Sequence, residues 1–279
     1  MTARLLAHAR VAPVVALARR CLQRLVALEF VDRAVALASL TFTALIPLGV
    51  VVGSTVPGVN RTSFADSITD RFDLDPRTAH IVEAAFSPPP DVQASLSVLG
   101  VLLLIVSALS FTRGLQRAYE TAWRLPRLGV RATPAGLVWL AGVVAFMSVF
   151  GGLRAAIVDV SRPVVSAIVA LAFAVVVWLF TPWVLLSRRV PWRALLPTAT
   201  LTAVGMTGLS AAGIFYMPRS ISSSAASYGT IGVAIALVSW LVAAGFVLVG
   251  SAGIGAVLGE GRTTPPPGAA APGEAASDT

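Results

Sequence analysis

The charged residues of this chain are spaced so that six uninterrupted gaps open between them, each long enough for one bilayer crossing. A hydrocarbon core about 30 Å thick takes roughly 20 apolar residues of helix. Ala34 to Gly53 reads AVALASLTFTALIPLGVVVG and lies between Arg33 and Arg61. Val92 to Thr112 sits between Asp91 and Arg113, and Ala132 to Leu153 between Arg131 and Arg154. Pro163 to Ser187 and Ala194 to Pro218 fill the next two gaps. The last gap runs from Ser220 to Gly259 and opens with the small polar stretch SISSSAAS, so its helix is placed over residues 228–258.

Apolar runs such as LLLIV and LAFAVVVWLF do not alternate, which argues against a β-barrel with a polar lumen. The sequence therefore predicts an all-α membrane protein. Its six-helix transmembrane bundle covers residues 34–259, with spans at 34–53, 92–112, 132–153, 163–187, 194–218 and 228–258. A basic, amphipathic segment (1–33) precedes it, an extracytoplasmic loop (54–91) with short helices joins the first two spans, and a disordered tail (260–279) ends the chain.

Composition agrees. Of 279 residues 56% are hydrophobic and 12% charged, about half the charged share of an ordinary soluble domain. A soluble enzyme of this size has nowhere to hide so much apolar side chain. All 21 basic residues are arginine, and the formal charge is +8. In a soluble protein that charge would point to nucleic acid. Here the arginines punctuate apolar blocks, so anionic lipid headgroups are the expected partner and nucleic acid is not.

The arginines are also unevenly distributed. Fifteen fall in the N-terminal segment, the second and fourth connections and the tail, against six on the other side. By the positive-inside rule both termini are expected to be cytoplasmic. No cleaved signal peptide is expected, because Val11 to Ala18 is too short an apolar run and Arg19, Arg20 and Arg24 interrupt the residues after it. Leu17, Cys21, Leu25 and Leu28 share one helical face. That face suits either a helix on the inner leaflet or one packed on the end of the bundle.

No catalytic constellation emerges. His8 and His80 fall on opposite sides of the membrane, no HExxH is present, and a P-loop is impossible without lysine. Neither a catalytic residue, a metal nor a cofactor is expected. The acidic run from Asp70 to Asp75 lacks the glycine and distal glutamate of a calcium loop, and reads as solvated acids. The Arg154, Asp159, Arg162 group reads as a charged interfacial turn rather than a lid.

Two sets of residues are candidates for contact with a ligand. Arg113, Arg117 and Arg124, with Glu120, are spaced to line one helical face leaving the second span, flanked by Tyr119 and Trp123. Such a ladder suits a lipid phosphate or another anion, or serves as a positive-inside anchor. Ser39, Thr43 and Pro47, spaced by four, and Thr198 and Thr202, just after Pro197, mark polar faces of the first and fifth spans. They line either a cavity between broken helices or a close helix contact. Gly250, Gly253, Gly255 and Gly259 give the sixth span a small-residue face of the second kind.

Four segments in register carry a resemblance. ASLTFTALIPLGVVV, SFTRGLQRAYETAW, VPWRALLPTATLTAV and SYGTIGVAIALVSWL resemble the YihY/BrkB family of bacterial inner-membrane proteins, over residues 20–259. The resemblance implies about six transmembrane helices, cytoplasmic termini and a role in the cell envelope. It also brings an older ribonuclease label, for which this chain lacks the clustered His and Asp ligands a metal-dependent nuclease needs. A carrier for an anionic or amphiphilic envelope solute, or a non-transporting scaffold, is the expected function.

Overall fold

A computed structural model describes residues 2–55, 95–157, 163–228 and 230–260, and every regular element among them is a helix. Seven are α-helices: α1 (Thr2–Ala27), α2 (Phe30–Thr55), α3 (Ser95–Ala122), α4 (Thr133–Ile157), α5 (Pro163–Leu185), α6 (Trp192–Tyr228) and α7 (Thr230–Glu260), with a 3₁₀ turn at Gly129–Ala132. Each gap between charges carries one of the helices α2 to α7. Four helices (α3, α5, α6 and α7) are long and apolar enough over the described residues to cross a membrane, and α4 has a shorter apolar stretch over Thr133–Phe146. The loop 56–94, including the acidic run and His80, the turn 158–162 and the tail 261–279 lie outside the described residues.

The six long helices form a ring in the order α2, α3, α4, α5, α6, α7 and back to α2, with α3 also reaching across to α5 and α7. The tightest pair is α6 and α7, and glycine is the reason. A Cβ at Gly255 would collide with both the backbone and the hydroxyl of Thr198, and one at Gly259 with the carbonyl of Ala194. Further along the same antiparallel seam Gly213 lies under the Trp240 ring, 2.8 Å from where its Cβ would stand. A second face of α7 meets α2, where Gly245 abuts the Ala34 backbone. One helix thus presents small residues to two neighbours, letting backbones approach without loss of dispersion contact.

The expected break at Ser220 is absent. Helix α6 continues through SISSSAAS to Tyr228 as one 37-residue helix. The serine hydroxyls bond back to their own helix, Ser227 to the Ser223 carbonyl at 3.0 Å, so the polar run costs the helix little.

The C-terminal half of α1 packs against the bundle. Leu17, Cys21 and Leu25 are half-buried and Leu28 fully buried, so the predicted face is the one turned inward. A Cβ at Gly253 of α7 would lie 2.9 Å from the Leu25 side chain. The opposite face of α1 leaves Val15, Leu22 and Val26 exposed beside Arg19.

Burial is concentrated at one end. On α3 the successive residues of one face are Tyr119, Leu115, Thr112, Ala108, Ile105 and Val101. Leu115 and Thr112 are 2% exposed, whereas Ile105 is 43% and Val101 38% exposed. On α5, Leu185 and Thr181 are buried, but Val177, Ala174 and Ala170 on the same face are not. A straight helix keeps the same stripe toward the core over such a distance. Burial along these two stripes therefore falls away from the end where α1 packs. The bundle is closed at the end where α1 packs; toward the other end α3 and α5 show more exposed side chains among the described residues, while Met217, Ile221 and Val233 of the α6–α7 seam stay buried.

Candidate functional site

The closed end is where four helices stop: α1, α3, α5 and α7 all have their C-termini there. Each terminus leaves carbonyls without intrahelical partners and carries a partial negative charge. Helix α3 ends in a turn in which Leu125 N–H bonds the Glu120 carbonyl (2.8 Å) and Arg124 N–H that of Thr121 (3.1 Å). This is the Schellman pattern, with Arg124 in the left-handed position (φ 52°) that glycine usually takes. Helix α5 closes the same way, through Arg188 N–H to the Trp183 carbonyl (3.0 Å), with Ser187 and Arg188 both at positive φ.

Arginines supply the remaining donors. Arg24, on α1, is 5% exposed; its Nη1 donates to the Ala122 carbonyl that ends α3, and its Nη2 to both carboxylate oxygens of Glu260 at 2.6 and 2.8 Å. One guanidinium so ties the ends of α1, α3 and α7. Arg33 bonds the Leu28 carbonyl at the α1–α2 turn. Arg189, in the α5–α6 turn, donates to the carbonyls of Leu186 (3.0 Å) and Pro126 (2.8 Å) and to the Glu120 carboxylate (2.7 Å). Glu120 is 1% exposed and accepts two further bonds, from Gln116 Nε2 (3.1 Å) and Leu128 N–H (3.2 Å). A buried carboxylate is costly unless paired and bonded in this way.

Behind this rim the closed end is filled by Tyr119, Trp123, Leu185, Leu186, Leu195 and their neighbours. Three of its polar atoms, Tyr119 Oη, Trp123 Nε1 and Thr198 Oγ1, are buried with no hydrogen-bond partner among the described residues. Each such group costs about 1–3 kcal/mol relative to a satisfied one.

The predicted candidates are distributed differently from what their spacing implies. Arg113 and Arg117 are exposed and line a cavity of about 200 Å³ with Gln116, Glu120, Arg127 and Gly129. Arg124 leaves the ladder, because α3 stops at Ala122 and the left-handed turn swings it to a separate cavity of about 380 Å³. Glu120 belongs to the buried network and not to an exposed face. Ser39 and Thr43 are exposed on the side of α2 away from Ala34 and Leu37, and their hydroxyls bond the Val35 and Ser39 carbonyls. Thr198 and Thr202 are fully buried in the α6–α7 seam. These two pairs do not meet in one cavity, because helix rotation turns one to the outside of the ring and the other into a helix contact. Helix α2 runs unbroken through Pro47, whose side chain lies outside the described residues.

The residues that organise the closed end, Arg24, Arg189 and Glu260, were not distinguished in the sequence from other arginines and the tail. The available signal was their position within a turn of a helix C-terminus. Among the described residues no group of three or more His, Cys, Asp or Glu side chains is placed to hold a metal ion.

A family model for virulence factor BrkB matches residues 21–275. The chain belongs to the BrkB family. That membership, with the long apolar helices, makes it an integral membrane protein. The match covers all of α2 to α7 and the end of α1 that carries Arg24, so the arginine-capped rim lies within the BrkB-family region. No curated protein and no solved structure matches the chain.

Proposed function

We propose that this BrkB-family chain is a six-span inner-membrane carrier for an anionic amphiphile of the cell envelope, with both termini cytoplasmic. The observation that carries the reading is the contrast along α3 and α5, whose stripes are buried at one end and half-buried or exposed toward the other. A bundle sealed at one end and less tightly covered along two helices toward the other would suit one state of an alternating-access carrier. The arginine distribution supports a cytoplasmic closed end. The Arg24–Glu260 and Arg189–Glu120 pairs are then the contacts an inward opening must break. The unpartnered hydroxyls and indole of the plug lower the cost of leaving this arrangement.

The chemistry of the walls supports an amphiphile. Val101, Ile105, Ala108, Ala170, Ala174 and Val177 carry no charge and suit an apolar chain, whereas Arg113 and Arg117 on the cytoplasmic rim suit an anionic head. Helix α1 fits the inner leaflet with Val15, Leu22 and Val26 while its other face holds the bundle.

Cysteine accessibility tests both parts, in a background with Cys21→Ser. Tyr228→Cys is expected to react with an impermeant thiol reagent in intact cells, and Arg131→Cys and Arg193→Cys only after permeabilisation. Ile105→Cys and Ala174→Cys are expected to react from outside at rates at least tenfold above Leu115→Cys, because a thiol reacts only where water admits its thiolate. Unreactive thiols at both 105 and 174 would mean a dry interior and favour the scaffold function.

A further inference from the structure

We propose that the cavity lined by Arg24, Thr121, Arg124 and Arg127 binds a phosphate anion, presented as the headgroup of an anionic phospholipid. The inference deepens the lipid-partner reading above, and rests on it only in assigning the cavity to the cytoplasmic leaflet.

The cavity measures about 380 Å³ and is completed by Ala27, Leu28 and Leu125. That lies in the size range of small-ligand sites. Its lining holds three arginines and no carboxylate, whereas the neighbouring cavity of Arg113 and Arg117 includes Glu120. Glu120 is paired with Arg189 and Arg24 with Glu260, so the uncompensated charge of the first cavity comes from Arg124 and Arg127. Two of the three arginines come from the connection that follows α3. Arg124 occupies the left-handed residue of the α3 cap, and Arg127 comes three residues later in the same short connection. Neither makes an ion pair among the described residues.

The helix C-terminus beside the cavity works against an anion, since its last carbonyls point outward. Arg24 removes that obstacle: its guanidinium caps the Ala122 carbonyl, and its bonds to Ala122 and Glu260 engage three of the five N–H donors such a group carries. Arg24 is thereby fixed in place at the cavity wall, so little of its rotamer entropy remains to be lost on binding. Planar forks of this kind bind phosphate oxygens in pairs. The apolar share of the lining, Ala27, Leu28 and Leu125, argues for an anion that continues into a hydrocarbon rather than one solvated on all sides. A bound phosphate would sit against the Arg24 clamp and hold α1, α3 and α7 together.

Native mass spectrometry of the purified full chain, titrated in turn with phosphatidylglycerol, phosphatidylcholine and inorganic phosphate, tests this. Phosphatidylglycerol is expected to bind at least tenfold tighter than phosphatidylcholine. Arg124→Gln and Arg127→Gln, both exposed side chains, are each expected to weaken it tenfold or more while the thermal midpoint stays within about 2 °C of the parent, the range for an unchanged surface. Arg117→Gln, which lines only the neighbouring cavity, should leave binding within twofold. Loss in Arg117→Gln with retention in Arg124→Gln would overturn the assignment, as would equal affinity for the two lipids. Inorganic phosphate that binds as tightly as the lipid, with the same dependence on Arg124 and Arg127, would make a soluble phosphate the ligand and overturn the lipid source. Lipid binding is independent of thiol reactivity at positions 105 and 174, so this site and the carrier reading fail separately.

Discussion

Gly255→Leu is expected to leave no folded protein, while Gly208→Ala, on the neighbouring helix, is expected to be neutral or mildly stabilising. The two glycines differ only in what surrounds them. At Gly255 even a methyl would meet the backbone of Thr198, which cannot turn aside as a flexible side chain can. Helix α6 would have to move off α7 along the seam that also contains Gly259 and Gly213. Overpacking of an ordinary core costs about 1–3 kcal/mol and occasionally more. A clash with backbone in the most extensive contact of the bundle belongs beyond the top of that range, a large fraction of the roughly 5–15 kcal/mol that keeps a typical domain folded. At Gly208 nothing lies within 4 Å of the added methyl, and replacing a mid-helix glycine by alanine is worth about 0.5–1 kcal/mol. The fraction eluting as a monodisperse peak after detergent extraction, combined with thermal unfolding, reads both. A monodisperse Gly255→Leu variant with an unchanged midpoint would contradict the close approach of α6 and α7.

Glu120→Ala is expected to cost about 3–5 kcal/mol, because it strands the Arg189 guanidinium against α3 without its anion. The same substitution removes the acceptor for Gln116 and for the Leu128 backbone N–H, which loosens the connection bearing Arg127. Arg189→Ala leaves the opposite orphan, a carboxylate 1% exposed, and should cost a similar amount. If the pair acts as a unit, the double variant Glu120→Ala with Arg189→Ala loses less than the sum of the two single changes. Thermal midpoints of the four proteins in one detergent close that cycle. Additive losses would mean that the two residues stabilise the closed end separately, and their contact would carry no coupling.

The transmembrane character of the chain was written in one dimension. Charge-free length determines where a helix can sit in hydrocarbon, because an ionised group at depth is penalised wherever the neighbours are. The gaps therefore map onto α2 to α7, and the glycine periodicity of the last helix foretold close contact. It did not say that two of its faces would be used, one for α6 and one for α2. Spacing also failed at the ladder of arginines. A period of three and four assumes that the helix continues, and the left-handed turn after Ala122 sends Arg124 to a different cavity from Arg113 and Arg117. For Ser39, Thr43, Thr198 and Thr202 the pattern marks a polar stripe, read as either a cavity or a close helix contact; Thr198 and Thr202 lie in such a contact, and only the rotation of each helix in the ring decides where a stripe faces. The roles of Arg24, Arg189 and Glu120 were decided entirely by tertiary structure. Their partners lie 98, 69 and 69 residues away, and a capping bond to a helix end forms only once the ring has brought four C-termini to the same side.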